Sequence, residues 1–379
     1  MSTDEFDFAL PAVEPSPFKN KEEDRYNEDV DVADFGLAED FGIMETNIDE
    51  DLLPENEAIS AINCAVIGVG GGGNKMAKAF LDLGFNRTLL VNTTGKDIPA
   101  GVDEDHVVLI PNSDGIGKNV QHGKLVFESN STVVEDALRT RIGRTDWLFV
   151  FAGGGGGTGS SVTALNKMFD RYMTSVQASG RVIYIVSWPT AQENLNPTIA
   201  RNALTLLNDV AEYPHIVIDN ERQSKLLRGR VGMLGLFPSA NAAFGKLLSQ
   251  VLKLSTEISP IQSFDSKDLE TCLDNPGRMF IGSTVIQQPN TPKLGSMIMH
   301  NCLNRSVCPP PVAGKPKTGT LLLIASEEMV ADPKISKHLE AAIAYVGGRT
   351  ETLFSGVYVR KNVPGLIAIL CMNGIERGK

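Results

Sequence analysis

The sequence predicts an α/β protein with a Rossmann-like parallel sheet covered by helices on both faces, one long amphipathic helix, and a disordered acidic N-terminal extension. Three observations carry this. From Ile62 onward, short β-rich runs alternate with helical stretches, the pattern of strand–helix–strand crossovers. Two of the strands run directly into glycine-rich turns that open helices, Gly68–Asn74 and Phe151–Ser161. Residues 1–58 contain 19 acidic and three basic residues, several prolines and no sustained period. Such a segment cannot bury enough apolar surface to offset its ordering entropy.

In order along the chain, strands are predicted over 62–67, 87–92, 107–110, 146–151, 181–187 and 214–219, with helices over 75–83, 120–142 and 159–177 among them. Right-handed crossovers place all strand-to-helix loops on one edge of the sheet, where open α/β folds bind ligands. The first such loop is Gly70-Gly71-Gly72-Gly73-Asn74. The fourth is Gly154-Gly155-Gly156-Gly157-Thr158-Gly159-Ser160. Glycine lets the main chain approach a ligand closely, and the helix N-terminus that follows adds unpaired N–H groups and the positive end of a dipole. Two loops of this kind imply a ligand with several phosphates. Between them, Ser113-Asp114-Gly115-Ile116-Gly117-Lys118-Asn119 reads either as an ordinary turn or as a third phosphate contact, with Lys118 as a point charge.

Further candidates follow the later strands. Glu193 suits a sugar hydroxyl and Asn220 a base edge, although helix-capping or first-turn roles fit both equally well. A long helix is predicted over 238–258, about 30 Å at its rise per residue. Phe237 stands just before it and Asn241 four residues on, so the two share a face. They suit stacking on and reading a nucleobase, or the plainer roles of a core aromatic and a capping amide. Asp265 and Asp268 fall at i, i+3 in a starting helix. There they either complement the helix dipole or orient a water for attack on a phosphoryl group. The long helix separates them from the glycine loops, so they could serve only a ligand held by another copy of the chain.

Composition narrows the class. At 379 residues and 42% apolar, the chain has room for two domains and a tail. No apolar run reaches the roughly 18–20 residues of a membrane span, and acids from Asp4 onward exclude a signal peptide. Five scattered cysteines indicate a reducing compartment, so a cytoplasmic protein is expected. The net charge is −11, and no direct nucleic-acid binding is expected. That charge is uneven: residues 59–379 hold 27 acidic against 32 basic residues, net +5. The extension contains acid-flanked aromatics, Phe6, Phe8, and Ala33–Gly36 echoed by Glu39–Gly42. It is expected either to solubilise the protein or to bind an unknown partner. Gly68, Gly70 and Gly73 fit the dinucleotide fingerprint, but Asn92-Thr93-Thr94 stands where its ribose-binding acid is wanted, and the first acid is Asp97. No GxxxxGK[ST] occurs.

In this arrangement the chain resembles the tubulin/FtsZ superfamily over about residues 60–374. Gly155–Ser160 matches the signature GGGTGSG, with Ser161 replacing its last glycine; Gly68–Asn74 is similar to the FtsZ GVGGGGGN loop, one glycine shorter. Asn92-Thr93 matches VNTD with Thr94 in place of the acid, and Ile218-Asp219-Asn220-Glu221 resembles tubulin's IDNE. The resemblance implies a GTP-binding GTPase that polymerises head to tail with itself, binding GTP/GDP and Mg²⁺. Asn220, Phe237 and Asn241 would read guanine, Glu193 would contact ribose, and Gly115–Gly117 would sense the γ-phosphate. Asp265 and Asp268 would enter the neighbouring subunit's site and assist hydrolysis, with no protein residue expected as a metal ligand. It further implies a smaller α+β C-terminal domain with strands near 279–286, 319–325, 350–358 and 366–372. Domains are accordingly expected at 59–237, 238–258 (the central helix) and 259–379, after the tail.

The departures matter. Ser263 replaces an Asn two positions before the first acid, and Lys267 replaces a small residue between the acids, where it could quench their charge or pair with phosphate. A nucleotide-binding assembly protein that does not hydrolyse is therefore the second reading. The chain also stops at Lys379 without the linker and C-terminal peptide of division FtsZ. A phage- or plasmid-type cytoskeletal tubulin is the expected branch.

Overall fold

The computed structural model describes residues 62–311 and 314–375; the acidic extension expected over 1–58 lies outside them. Six parallel strands form the first part: β1 (Cys64–Val69), β2 (Thr88–Asn92), β3 (Val107–Leu109), β4 (Trp147–Gly153), β5 (Val182–Trp188) and β6 (Pro214–Asp219). β1, β2 and β6 are buried along their whole length, which is why they read as continuous apolar runs rather than alternating ones. Four more strands follow, β7 (Gly277–Ile286), β8 (Thr318–Ala325), β9 (Thr352–Val359) and β10 (Leu366–Ile375). All ten join in one sheet of order β3-β2-β1-β4-β5-β6-β7-β10-β8-β9. The join is a short parallel pairing of β6 with β7, from Pro214 opposite Gly277 to Ile216 opposite Met279. β10 runs antiparallel between β7 and β8.

The helices depart from the predicted bounds in physically informative ways. α1 (Gly70–Asp82) begins inside the first glycine run, five residues earlier than expected. The predicted 120–142 helix is broken into α2 (Val120–Ser129), α3 (Ser131–Ala137) and a π-helical turn, Leu138–Ile142. The break falls at Asn130, whose side-chain amide donates back to the Val126 carbonyl at 2.8 Å and competes with the helical ladder. The predicted 159–177 helix is likewise segmented into α4 (Gly157–Ser160), a 3₁₀ turn and α5 (Asn166–Ser175). After β5 come α6 (Pro197–Asp209) and α7 (Asn220–Leu227).

The long helix, α8, spans Met233–Leu254 rather than 238–258, so Phe237 lies within it instead of before it. Proline is favoured in a first turn. Here Pro238 sits in the second turn and forgoes one ladder bond. α8 crosses α1 where Gly245 meets Phe80 and Leu83, and Phe244 packs edge-on to Phe80. The second part adds α9 (Ser266–Leu273), α10 (Leu294–Arg305), α11 (Glu327–Ala331) and α12 (Pro333–Gly347). One buried apolar cluster runs from Ile62 through α8 to Ile375, and a second fills the opposite face of β1–β6. Among the described residues, no helix is long and apolar enough to cross a membrane.

Candidate functional site

Because β1–β6 are parallel, their C-terminal ends converge on one edge. A cavity of about 330 Å³ opens there, in the size range of small-molecule clefts. Its wall brings together Gly71 and Gly72 from α1, Thr93 after β2, Gly115 and Gly117 after β3, and the run Gly154–Gly159 after β4. Glu193 and Asn220 complete it from the β5 and β6 sides.

Each part is held by identifiable bonds. The Gly115 N–H and the Ser113 hydroxyl both donate to the Thr93 carbonyl at 3.0 Å, pinning the middle loop to the end of β2. Gly115 and Gly117 adopt φ of +85° and +61°, a turn open to residues without a Cβ. The Thr93 and Thr158 hydroxyls hydrogen-bond each other at 3.0 Å in the cavity wall. Ser160, buried, accepts from the Gly155 N–H and closes the main glycine run on itself. Glu193 accepts from the Thr190 N–H and hydroxyl. Asp219, held above the usual carboxylate range by burial, caps α7 through the N–H groups of Glu221 and Arg222. The capping task thus falls on Asp219 and leaves the Asn220 side chain at the cavity wall.

The structure does not bring every expected residue into that wall. Gly70 and Gly73 sit where α1 touches the rest of the fold: a Cβ on Gly73 would run into the Phe151 carbonyl, and one on Gly70 would lie 2.7 Å from the Gly159 nitrogen. Their lack of a side chain serves chain-to-chain packing. Asn74 and Asn92 are fully buried; Asn74 donates to the Val91 carbonyl, and Asn92 accepts from the Thr93 N–H. Ser160 supports the loop from beneath. Phe237 and Asn241 lie on α8 outside the cavity wall, with Phe237 38% exposed.

Other residues join the wall without having been singled out as ligand contacts: Thr94, Ile116, Gly153, Ser187, Pro189, Ile199 and Asp97, the last standing beside Gly71. Asn202 of α6 was missed altogether. Its buried side-chain amide donates to the carbonyls of Lys118 and Gly155, at 2.9 and 3.1 Å, clamping two of the three loops together. A polar residue on the inward stripe Asn202-Ala203-Leu206-Leu207 was the available signal.

Asp265 and Asp268 lie at the other end of α8, a helix of 22 residues and about 33 Å. They form a reciprocal capping box on α9. Asp265 accepts from the N–H groups of Lys267 and Asp268, and Asp268 accepts from the Asp265 N–H. Burial, with the neighbouring Asp265 charge, holds the Asp268 carboxyl above its ordinary range. The segment leading to them is anchored by Tyr358, whose hydroxyl donates to the Leu254 carbonyl and accepts from the Phe264 N–H. The Lys267 ammonium pairs with Glu270 at 3.1 Å.

The fold is a mostly parallel α/β sheet with a glycine-lined cleft at the C-terminal ends of its first six strands. No family model matches the chain. It is 23% identical over 333 residues to the tubulin-like protein CetZ of Methanothrix thermoacetophila, covering 84% of each chain. It also superposes on the GTPγS-form protofilament of TubZ from Bacillus thuringiensis serovar israelensis, with a TM-score of 0.68, 17% identity, and 83% and 89% of the two chains covered. The FtsZ dimer of M. jannaschii gives a TM-score of 0.63 at 19% identity, over 84% and 90% of the chains. The chain thus has the fold of these tubulin-like and FtsZ structures.

Proposed function

We propose that this protein binds a guanine nucleotide at the glycine-lined cavity, assembles head to tail with copies of itself, and hydrolyses GTP between successive subunits. One observation carries the reading: three main-chain loops converge on the edge where β1–β6 end, while a paired set of carboxylates is anchored at the start of α9, beyond the C-terminal end of α8. With α8, itself about 33 Å long, between them in the chain, the two half-sites work together when one subunit stacks on the next. The TubZ neighbour, a GTPγS-form protofilament, supports the same reading.

In this scheme Gly71, Gly72, Gly115, Gly117 and Gly154–Gly159 cradle phosphates through main-chain N–H groups. Glu193 takes the ribose and Asn220 the base, with Phe237 and Asn241 closing over it from α8. A polyphosphate beside the Asp97 carboxylate calls for a cation. Asp97 is the side chain that would help hold a hydrated Mg²⁺, which supplies charge neutralisation at the phosphates. Asp265 and Asp268 each engage one carboxylate oxygen in the capping box, leaving the other free to orient a water for the neighbour's phosphate. The setting that suits such a protein is the cytoplasm.

Phosphate release with GTP and Mg²⁺ is expected to rise more than linearly with protein concentration. Asp268→Ala should lower it by at least tenfold while leaving nucleotide binding intact and filaments longer-lived. A rate per subunit independent of concentration above the assembly threshold would overturn hydrolysis in trans. The capping box favours a second reading, in which the two aspartates serve α9 alone and the protein assembles without hydrolysis; unchanged turnover in Asp268→Ala selects it.

A further inference from the structure

We propose that the groove between α2 and α6 is a docking site for the acid-flanked aromatic stretch of this chain's own N-terminal extension, residues 33–42. The inference stands apart from the nucleotide reading. A cavity of about 450 Å³ opens between the start of α2 and the first turns of α6. Lys118 and Gln121 line one side, Arg201 and Thr205 the other, with the buried Asn202 between them. Lys118 and Arg201 are both exposed, and neither has an ion-pair partner among the described residues. Lys124 of α2, by contrast, pairs with Asp209 of α6 at 2.6 Å and ties the two helices side by side. Each helix also carries an uncovered leucine. Leu125, 62% exposed, is one turn on from Gln121, and Leu204, 46% exposed, is one turn on from Arg201. A cation with an exposed leucine thus occurs twice, once on each side of the groove.

The extension holds the complementary groups. Residues 1–58 carry 19 acidic against three basic residues, net −16, while residues 59–379 sum to +5, so the two attract at long range. Within the extension an aspartate followed by phenylalanine and glycine occurs twice, as Asp34-Phe35-Gly36 and Asp40-Phe41-Gly42. Two acid–aromatic pairs meet two cation–leucine pairs. Each carboxylate faces Lys118 or Arg201, and each ring covers a leucine otherwise left to water. Length allows this within one molecule. The chain from Phe41 to Ile62 reaches at most about 70 Å, whereas a body of this size has a radius of gyration of about 20 Å. The tether also gives the segment a higher effective concentration at its own groove than a second copy supplies in dilute solution.

The test is zero-length carbodiimide cross-linking of the full-length chain, as a dilute equal mixture of unlabelled and ¹⁵N-labelled protein, read by mass spectrometry. Carbodiimide joins a carboxylate to a lysine amine in contact with it. Lys118 should be joined to Asp34, Glu39 or Asp40, in linked peptides that carry a single isotope. Arg201→Glu reverses one cation of the groove, and Phe35→Ser with Phe41→Ser removes both rings while leaving every groove residue in place. Each change should lower that link by about fivefold or more, measured against the exposed Lys78–Asp82 pair as the internal reference. Arg201→Gln stands in if the glutamate variant melts lower than the wild type, with the same direction of change. Linked peptides of mixed isotope would make a second copy the occupant. Absence of the Lys118 link, or a link undiminished in the variants, would mean that residues 33–42 do not dock there. Either result overturns the proposal.

Discussion

Ser161 stands where the superfamily signature has its last glycine, and its surroundings explain how the change is accommodated. The side chain is fully buried, and its hydroxyl lies 2.7 Å from the Gly157 carbonyl and 3.0 Å from the Val120 carbonyl. The space for it comes from Gly123, since a Cβ there would collide with the Ser161 side chain. A glycine inside α2 costs about 1 kcal/mol of helix propensity, so the two residues are coupled. Gly123→Ala is expected to destabilise the protein by about 1–3 kcal/mol despite favouring helix. Adding Ser161→Gly should recover more than about 1 kcal/mol of that. Urea unfolding of the four variants checks this, and strict additivity would refute it. The departure at Ser161 was legible in the sequence. Its partner, 38 residues away, was not, because a steric vacancy has no local signature.

Asn202 is a second case at this scale. Asn202→Ala leaves the Lys118 and Gly155 carbonyls without their shared donor. It should cost about 1–3 kcal/mol of stability and weaken nucleotide binding several-fold, read by denaturation and by calorimetry. Unchanged affinity would mean that the loops hold their places without the clamp.

Among the elements, the sequence located every one of the six parallel strands to within two residues at its start, because all but the edge strand β3 are largely buried and read as continuous apolar runs. Helix ends were less legible. α1 starts among glycines that are poor helix formers; packing of Gly73 against Phe151 imposes the first turn. α3 illustrates tertiary control by charge. Glu135 accepts from Arg139 one turn on and from Arg171 on α5, and these guanidinium groups hold its carboxyl below the usual range. A depressed carboxylate stabilises the fold above its ordinary pKa and loses that contribution as pH falls through the folded value. Glu135→Gln should therefore cost about 1–3 kcal/mol at pH 7, and the gap from the wild type should close once both are below the ordinary carboxylate range. Thermal melting against pH measures it; a gap independent of pH would mean that the ion pairs contribute nothing.

For the whole molecule, the continuous ten-stranded sheet and shared core make one end of α8 rigid with respect to the other. At the acid end the loop before α9 exposes Ile258 (94%) and Ile261, apolar surface that water disfavours and a stacked subunit would cover. Ile258→Asp should leave the melting temperature within about 2 °C of the wild type, as expected for an exposed site. It should abolish assembly and the rise of GTPase rate with concentration, seen by light scattering and phosphate release. Normal filaments from this variant would place the contact elsewhere.

What the sequence determined by itself is what repeats locally: the alternation that makes a parallel α/β sheet, the glycine runs that end β1 and β4, and the acid pair at the start of α9. Each depends on residues within a turn or two of one another. The tertiary structure alone decided which candidates share a cavity wall, which glycines serve packing, and that Asp219 rather than Asn220 caps α7. Those outcomes depend on contacts between distant segments, where volume and hydrogen-bond geometry, not spacing along the chain, select the arrangement.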